Sequence, residues 1–372
     1  MSSSSTHALA PDDVVRTHAQ SAAQEREALL VLEPLLEFLD ARGIGSGEPE
    51  IAPIGDGHSN HTFLVSRGDR RFVLRRPPRG PIAPSAHDVL REAHVIGAVR
   101  PAGVRVPAVL AVGDDPAIIG APFFVMEAID GVVITDTLPD RLDTPEQRRA
   151  LSFELVDALV ELHAVRWQDV GLEGFGKPTG YTERQVRRFL GLWTVNKTRE
   201  IGEVERVAEW LMGNLPHSPP ATIVHGDYRV GNVMYAAGTP ARLTAILDWE
   251  MSTIGDPLAD VGYLCMTWSQ GGDPSGSHFD LNPVTRAEGF PSRAELVARY
   301  EDGSGRAVGD IRWYTALALW KAAVFMEGNF KRAASGLSDD PFLKRFGDGV
   351  LELARHAEEV TRRSSRRRSG DS

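Results

Sequence analysis

At 372 residues the chain is long for a single hydrophobic core, so two lobes or domains are expected. Its 42% hydrophobic and 25% charged residues are ordinary for a globular protein, and a formal net charge of −10 argues against a general nucleic-acid binder, which needs a basic surface. A lone cysteine, Cys265, rules out an intramolecular disulfide, no apolar run reaches the roughly 18 residues of a membrane span, and the first residues lack a hydrophobic signal region, so the expected setting is the cytoplasm.

Residues 1 to about 12 are Ser-rich and aperiodic, which reads as a disordered start. From 11 to about 42 a helix is expected, with Leu29, Leu30, Leu32, Leu35, Leu36 and Leu39 as its apolar stripe and Gly43 and Gly45 as its stop. EIAPIGDGHSNHTFLVSRGDRRFVLRRPP then reads as short strands joined by tight turns, with TFLV and RFVLRR forming a β-hairpin. A helix follows over about 86–100. VPAVLAVG and PFFVMEAI are two further strands, and Asp130-Gly131 ends the β-rich section. From about 143 the chain is mostly helical, at 144–164, 181–195, 200–214, 291–301, 308–336 and 341–362. The break in that series is 221–250, which alternates like a β-hairpin. The expected fold class is α+β with two lobes: a small antiparallel β lobe with one helix, and a larger, mainly helical lobe. The boundaries are 1–45 for the start and first helix, 46–128 for the small lobe, 129–360 for the helical lobe, and 361–372 for a disordered basic tail.

The chemistry concentrates in IVHGDYRVGNVMY, residues 223 to 235. One loop between two apolar runs carries His225, Asp227 and Asn232. Sixteen residues after Asn232, AILDWE supplies Asp248 at the end of another strand-like run. An amide oxygen beside a carboxylate is hard-oxygen chemistry suited to Mg²⁺. A second carboxylate free of metal can orient a hydroxyl or accept its proton. Each residue alone would pass for a turn or cap residue. Together and in this order they match the pattern of the base and magnesium apparatus of the protein-kinase-like fold, which is the role expected of them.

The sequence resembles the aminoglycoside phosphotransferase family, within the kinase-like superfamily that also holds choline, homoserine and fructosamine kinases. The resemblance is carried by IVHGDYRVGNVMY, AILDWEMSTIGDPLADVGYL, GDGHSNHTFLV and FVLRRPP, and it spans about residues 30 to 340. VLRRPPRG followed by VLREAHVIGAV is similar to the kinase-like modules fused to some acyl-CoA dehydrogenases. The resemblance implies ATP and Mg²⁺ as cofactors. It makes Asp227 the residue that positions the acceptor hydroxyl, His225 a brace of its loop, and Asn232 and Asp248 the metal ligands. Asp260, and with it Asp256, are implied as scaffold carboxylates.

On the nucleotide side, Gly57, Ser59 and Asn60 lie in a turn whose N–H groups can cover phosphates, although GDG is also an ordinary hairpin turn. Val73 and Arg75 fall where kinases carry a small residue and a lysine. No lysine occurs before Lys177, and arginine binds phosphate through its planar fork. Arg76 is the out-of-register alternative. Glu92 matches the helix carboxylate that pairs with the strand cation, or else lies on a solvated helix face. The backbone at Glu127 and Ala128 is the expected adenine contact.

Fewer than ten residues separate Asp248 from GDPLAD, too few for a peptide-docking segment, so a small-molecule acceptor is expected. Trp313, Leu317, Trp320 and Val324 read as a core stripe. Trp193, Tyr314, Glu327 and Asn329 are candidates for the acceptor pocket. The reading adopted is an ATP-dependent phosphotransferase acting on a hydroxyl of an aminoglycoside-like antibiotic or a hydroxylated metabolite, with no nucleic-acid or membrane partner. The alternatives are a hydroxyacyl-CoA kinase, a nucleotide-binding module without catalysis, and an aspartate-rich metallohydrolase. The oligomeric state is not legible.

Overall fold

The computed structural model describes residues 9–55, 60–80, 87–273, 280–336 and 346–362. The chain divides into two compact units, Met1–Asp130 and Gly131–Ser372.

The first unit opens with two short strands, β1 (Val14–Val15) and β2 (Leu30–Val31), paired in parallel around the five-residue helix α1 (His18–Ala22). Helix α2 (Leu32–Asp40) follows. The continuous helix expected over 11–42 is therefore not formed. Thr17 starts α1 with a capping box to Gln20, and the chain then returns extended so that Leu30 and Val31 pair with the β-branched Val14 and Val15. Leu29 and Leu30 are buried from an extended segment, and only Leu35 and Leu39 of the expected stripe enter the core from a helix.

The main sheet holds β3 (Glu50–Ile54), β4 (His61–Arg67), β5 (Arg70–Arg76), β6 (Val109–Gly113) and β7 (Phe123–Glu127), in the order β3-β4-β5-β7-β6 and antiparallel throughout. The β4–β5 hairpin expected from TFLV and RFVLRR is present, closed by Gly68-Asp69. Strand alternation puts Phe63, Val65, Phe72, Leu74, Phe123 and Val125 into one core with Leu35, Phe38 and Leu39 of α2. Helix α3 (Val89–Val99), capped by Asp88, packs on β6 and β7, and the short helix α4 (Pro116–Ile119) joins those two strands.

The second unit contains β8 (Val132–Val133), α5 (Pro145–Ala164), α6 (Tyr181–Asn196), α7 (Gly202–Gly213), β9 (Thr222–Val224), β10 (Val233–Tyr235), β11 (Leu243–Ile246), β12 (Thr253–Gly255), α8 (Leu258–Thr267), α9 (Arg293–Ser304), α10 (Ile311–Ala334) and α11 (Phe346–Arg362). The single hairpin expected over 221–250 is replaced by two small sheets. β10 pairs with β11 and with β8, whereas β9 leaves that sheet and pairs with β12. Between β9 and β10 the chain is thus freed to form a loop. Helix α10 is the packing centre, touching α6, α7, α8 and α11. Trp313 and Trp320 are buried in it, and their indole N–H groups donate to Leu211 O (3.1 Å) and Val204 O (2.9 Å), which removes the penalty of burying those donors. Cys265 is buried in α8, and burial pushes its thiol up to about 12, as suits a core residue. Among the described residues no helix is long and apolar enough to cross a membrane.

Candidate active site

The loop from 225 to 232 is held from both sides. Asp260, wholly buried at the start of α8, accepts the N–H of His225 at 2.7 Å through Oδ2 and that of Gly226 at 2.8 Å through Oδ1. His163 and Tyr300 complete the buried chain, with His163 Nε2 3.2 Å from Asp260 Oδ2 and Nδ1 2.7 Å from the Tyr300 hydroxyl. Burial shifts His163 down, against the pull of Asp260. Gly226 has φ +88°, and a Cβ there would stand 2.6 Å from Met251 O, so only glycine fits this close approach.

His225 joins this loop to the next. Its Nε2–H donates to Leu247 O at 2.8 Å, while Nδ1 accepts the Asp227 N–H at 3.3 Å, which selects the Nε2–H tautomer. The ring packs 4.9 Å from Trp249. Leu247 N–H in turn donates to Asn232 O at 2.8 Å, continuing the β10–β11 ladder in which Val233 faces Ile246. The ladder therefore ends with Asn232 on one side and Asp248 immediately beyond Leu247 on the other. Asp248 is held at φ 62°, ψ 69°, a left-handed conformation that is uncommon outside glycine and concentrates at functional sites.

Asp227 has its two oxygens in different surroundings. Asn232 Nδ2 donates to Oδ2 at 2.6 Å and to the Asp227 backbone O at 2.8 Å. Oδ1 is buried and accepts no hydrogen bond among the described residues, with Arg229 Nε 3.8 Å away. Carboxylate oxygens without a donor are unfavourable inside proteins, so Oδ1 is a candidate acceptor, with the Tyr263 hydroxyl beside the same carboxylate. With its nitrogen committed to Asp227, Asn232 keeps its carboxamide oxygen as a candidate cation ligand, and the Asp248 carboxylate at the end of the neighbouring strand is the second candidate. Among the described residues no group of three His, Cys, Asp or Glu gathers for a metal. Mg²⁺ commonly takes only one or two protein oxygens and completes its shell with water and phosphate, so the pair fits it.

Tyr263, on α8, was missed by sequence reasoning. Burial and then the charge of Asp227 raise its hydroxyl pKa well above the usual range, with a lesser push from Asp248. Its hydroxyl thus sits by Asp227 and stays protonated. Only its place one turn after Asp260, on a helix facing the loop, could have signalled it.

In the first unit, Arg75 Nε donates to Glu92 Oε2 at 2.9 Å; Glu92 is 3% exposed, which removes the solvated-face alternative. Arg76 points to the opposite face, where it donates to Leu29 O and to Pro77 O, and burial pulls it down to about 10. Val73 is buried beside Arg75's face of the strand, and Asn60 is buried at the start of β4. Gly57 and Ser59 lie outside the described residues. The Glu127 N–H donates to Ala108 O at 2.8 Å, so a ligand at this point of the backbone is left the Glu127 carbonyl and Ala128.

The acceptor-pocket candidates are placed in the scaffold. Trp193 donates to Glu205 at 2.8 Å and Tyr314 to Asp256 at 2.7 Å, both fully buried. Glu327 accepts from Thr198 N–H at 2.8 Å and from its hydroxyl at 2.6 Å. These side chains present almost no surface to an acceptor, because the α10 stripe that carries two of them packs against α6, α7 and α8. Asp256, also engaged by Leu258 N–H, is raised by burial.

Residues 50–314 match the sequence pattern of the phosphotransferase enzyme family, APH. Acyl-CoA dehydrogenase family member 10 of Mus musculus is 33% identical over 314 residues, covering 83% of this chain and 29% of that protein, so the chain spans under a third of this relative's length. A crystal structure of a candidate aminoglycoside phosphotransferase from Ralstonia eutropha JMP134 superposes with a TM-score of 0.77 at 29% identity, over 89% of this chain and 98% of the other. A thermostable mutant of aminoglycoside phosphotransferase APH(4)-Ia, solved as a ternary complex with AMP-PNP and hygromycin B, shares the fold, with a TM-score of 0.56 at 14% identity over 88% and 98% of the two chains.

Proposed function

Because the chain belongs to the phosphotransferase enzyme family, with its α+β, protein-kinase-like fold, we propose that it transfers the γ-phosphate of ATP to a hydroxyl of a small molecule. The observation that supports this most directly is the divided environment of Asp227. Asn232 fixes Oδ2, so Oδ1 is oriented and ready to accept the hydrogen of an acceptor hydroxyl. His225 and Asp260 keep the loop from yielding as the acceptor arrives. Asn232 and Asp248 would hold Mg²⁺, which when bound neutralises charge on the phosphates. Within the first unit, residues 46–128 serve as the nucleotide-binding part. There Arg75, oriented by Glu92, binds phosphate oxygen, Val73 lines the adenine, and the backbone at Glu127 and Ala128 meets its edge. Residues 129–360 supply catalysis and the acceptor site, in a cytoplasmic setting.

A small acceptor is favoured because β12 begins only five positions after Asp248 and pairs at once with β9, leaving no segment to dock a peptide. The mouse relative's name favours a second form of the same reading, in which the acceptor is a hydroxyacyl thioester. One assay addresses both. Transfer of ³²P from ATP is measured against aminoglycosides, other hydroxylated metabolites and hydroxyacyl-CoAs, with Asp227→Asn as control. Asp227→Asn should retain Mg-ATP binding and lose at least about 10²-fold in turnover. Normal turnover by this variant would overturn the role given to Asp227.

A further inference from the structure

Helices α6 and α10 run side by side, with Phe189 and Trp320 at 6.4 Å between ring centroids and Lys331 Nζ donating to Val195 O at 2.8 Å further along. Beside the first of these levels sits an ammonium with no ion-pair partner among the described residues. Lys321 Nζ lies 4.8 Å from the Phe189 ring centroid, and among the described residues it makes no hydrogen bond and no ion pair. Arg188, next to Phe189, also has no ion pair among them and is near enough to repel Lys321. Burial and this repulsion pull Lys321 down to about 8, against a weaker opposing pull from Asp260. Lys321 is half-buried on apolar ground and Arg188 beside it is exposed, so the unpaired ammonium is unfavourable unless something anionic joins it.

The cations head an apolar strip. Arg188, Leu192 and Val195 follow one face of α6, and Lys321 and Phe325 one face of α10. Leu192, Val195 and Phe325 are 38%, 70% and 63% exposed, an unusual concentration of open apolar surface. We propose that this strip binds a medium-chain carboxylate, its anionic end held by Lys321 and Arg188 and its alkyl chain laid along Leu192, Val195 and Phe325. Charge at one end and apolar surface at the other demand a ligand with the same asymmetry, which a polycation or a neutral molecule lacks. From Arg188 to Val195 the helix rises about 10 Å, matching an extended chain of about eight carbons. The site uses neither Asp227 nor Arg75 and stands independently of phosphoryl transfer.

Calorimetric titration of sodium decanoate, below its micelle concentration, into the full chain without nucleotide tests the site. One decanoate per chain is expected, with Lys321→Met, Arg188→Gln and Phe325→Asp each weakening binding at least about tenfold. Decanol and decyltrimethylammonium should bind at least about tenfold more weakly than decanoate. Equal binding of decanol and decanoate overturns the proposal. So does unchanged affinity in Lys321→Met and Arg188→Gln with native circular dichroism, or binding to phosphatidylglycerol vesicles in place of free decanoate. With nucleotide absent, these outcomes do not depend on whether the chain transfers phosphate.

Discussion

Asp260 Oδ1 accepts the N–H of Gly226 at 2.8 Å, tying the start of α8 to the loop that carries Asp227. Its other oxygen accepts the N–H of His225 at 2.7 Å and meets His163. Asp260 thereby acts on the site without touching a reactant. Asp260→Ala strands two backbone donors in a dry interior, and a loss of about 3–5 kcal/mol is expected. A lower urea midpoint at an unchanged m-value would show it. Turnover should fall with it, because the Asp227 loop loses its tether.

The Arg75–Glu92 pair separates stability from binding. Removing the guanidinium that lies 2.9 Å from a carboxylate only 3% exposed should cost about 3–5 kcal/mol in Arg75→Met. Adding Glu92→Leu should restore most of that stability, since a buried pair replaced by apolar groups is often neutral. Under the nucleotide-binding role, KM for ATP rises at least about tenfold in both variants. Recovery of KM in the double variant would make the pair purely structural.

Tyr263→Phe removes one hydroxyl beside Asp227 and leaves the ring. A fall in kcat of about tenfold or less with an unchanged KM for ATP is the expected result. An unchanged kcat would assign Tyr263 to packing alone.

Lys321 makes stability depend on pH. Its pKa is about 8 in the folded chain against 10.5 in the unfolded one, so between these values the unfolded chain binds more protons and stability rises with pH. The groups that set this are Arg188 on α6 and Asp260 on α8, besides burial itself. Lys321→Met should therefore gain about 1–3 kcal/mol at pH 7. The gain should shrink as pH rises from 8 towards 10.5. Urea denaturation of both proteins across that range measures it, and a gain independent of pH would mean the ammonium is not penalised.

Much of the site can be read along the chain because its chemistry is local. His225, Asp227 and Asn232 share one loop, and Asp248 ends the strand that pairs with the residues just after it. Spacing alone brings these groups together once the β10–β11 ladder forms. The β4–β5 hairpin and most helices are legible for the same reason, since periods of two and 3.6 residues are written in neighbouring positions. Tertiary structure decided what periodicity leaves open. Alternation puts Arg75 and Arg76 on opposite faces of β5, but only the packing of α3 on one side and of the Leu29 segment on the other decides which arginine meets Glu92. The N-terminal leucines suit a helix until Val14 and Val15 offer a strand edge, and Trp193, Tyr314 and Glu327 suit a pocket until α6, α7 and α8 close around α10. Lys321 carries no local signal, and Tyr263 only its place one turn after Asp260. Their surroundings come from helices distant in sequence, and the burial and fields that give them character exist only after those helices have met.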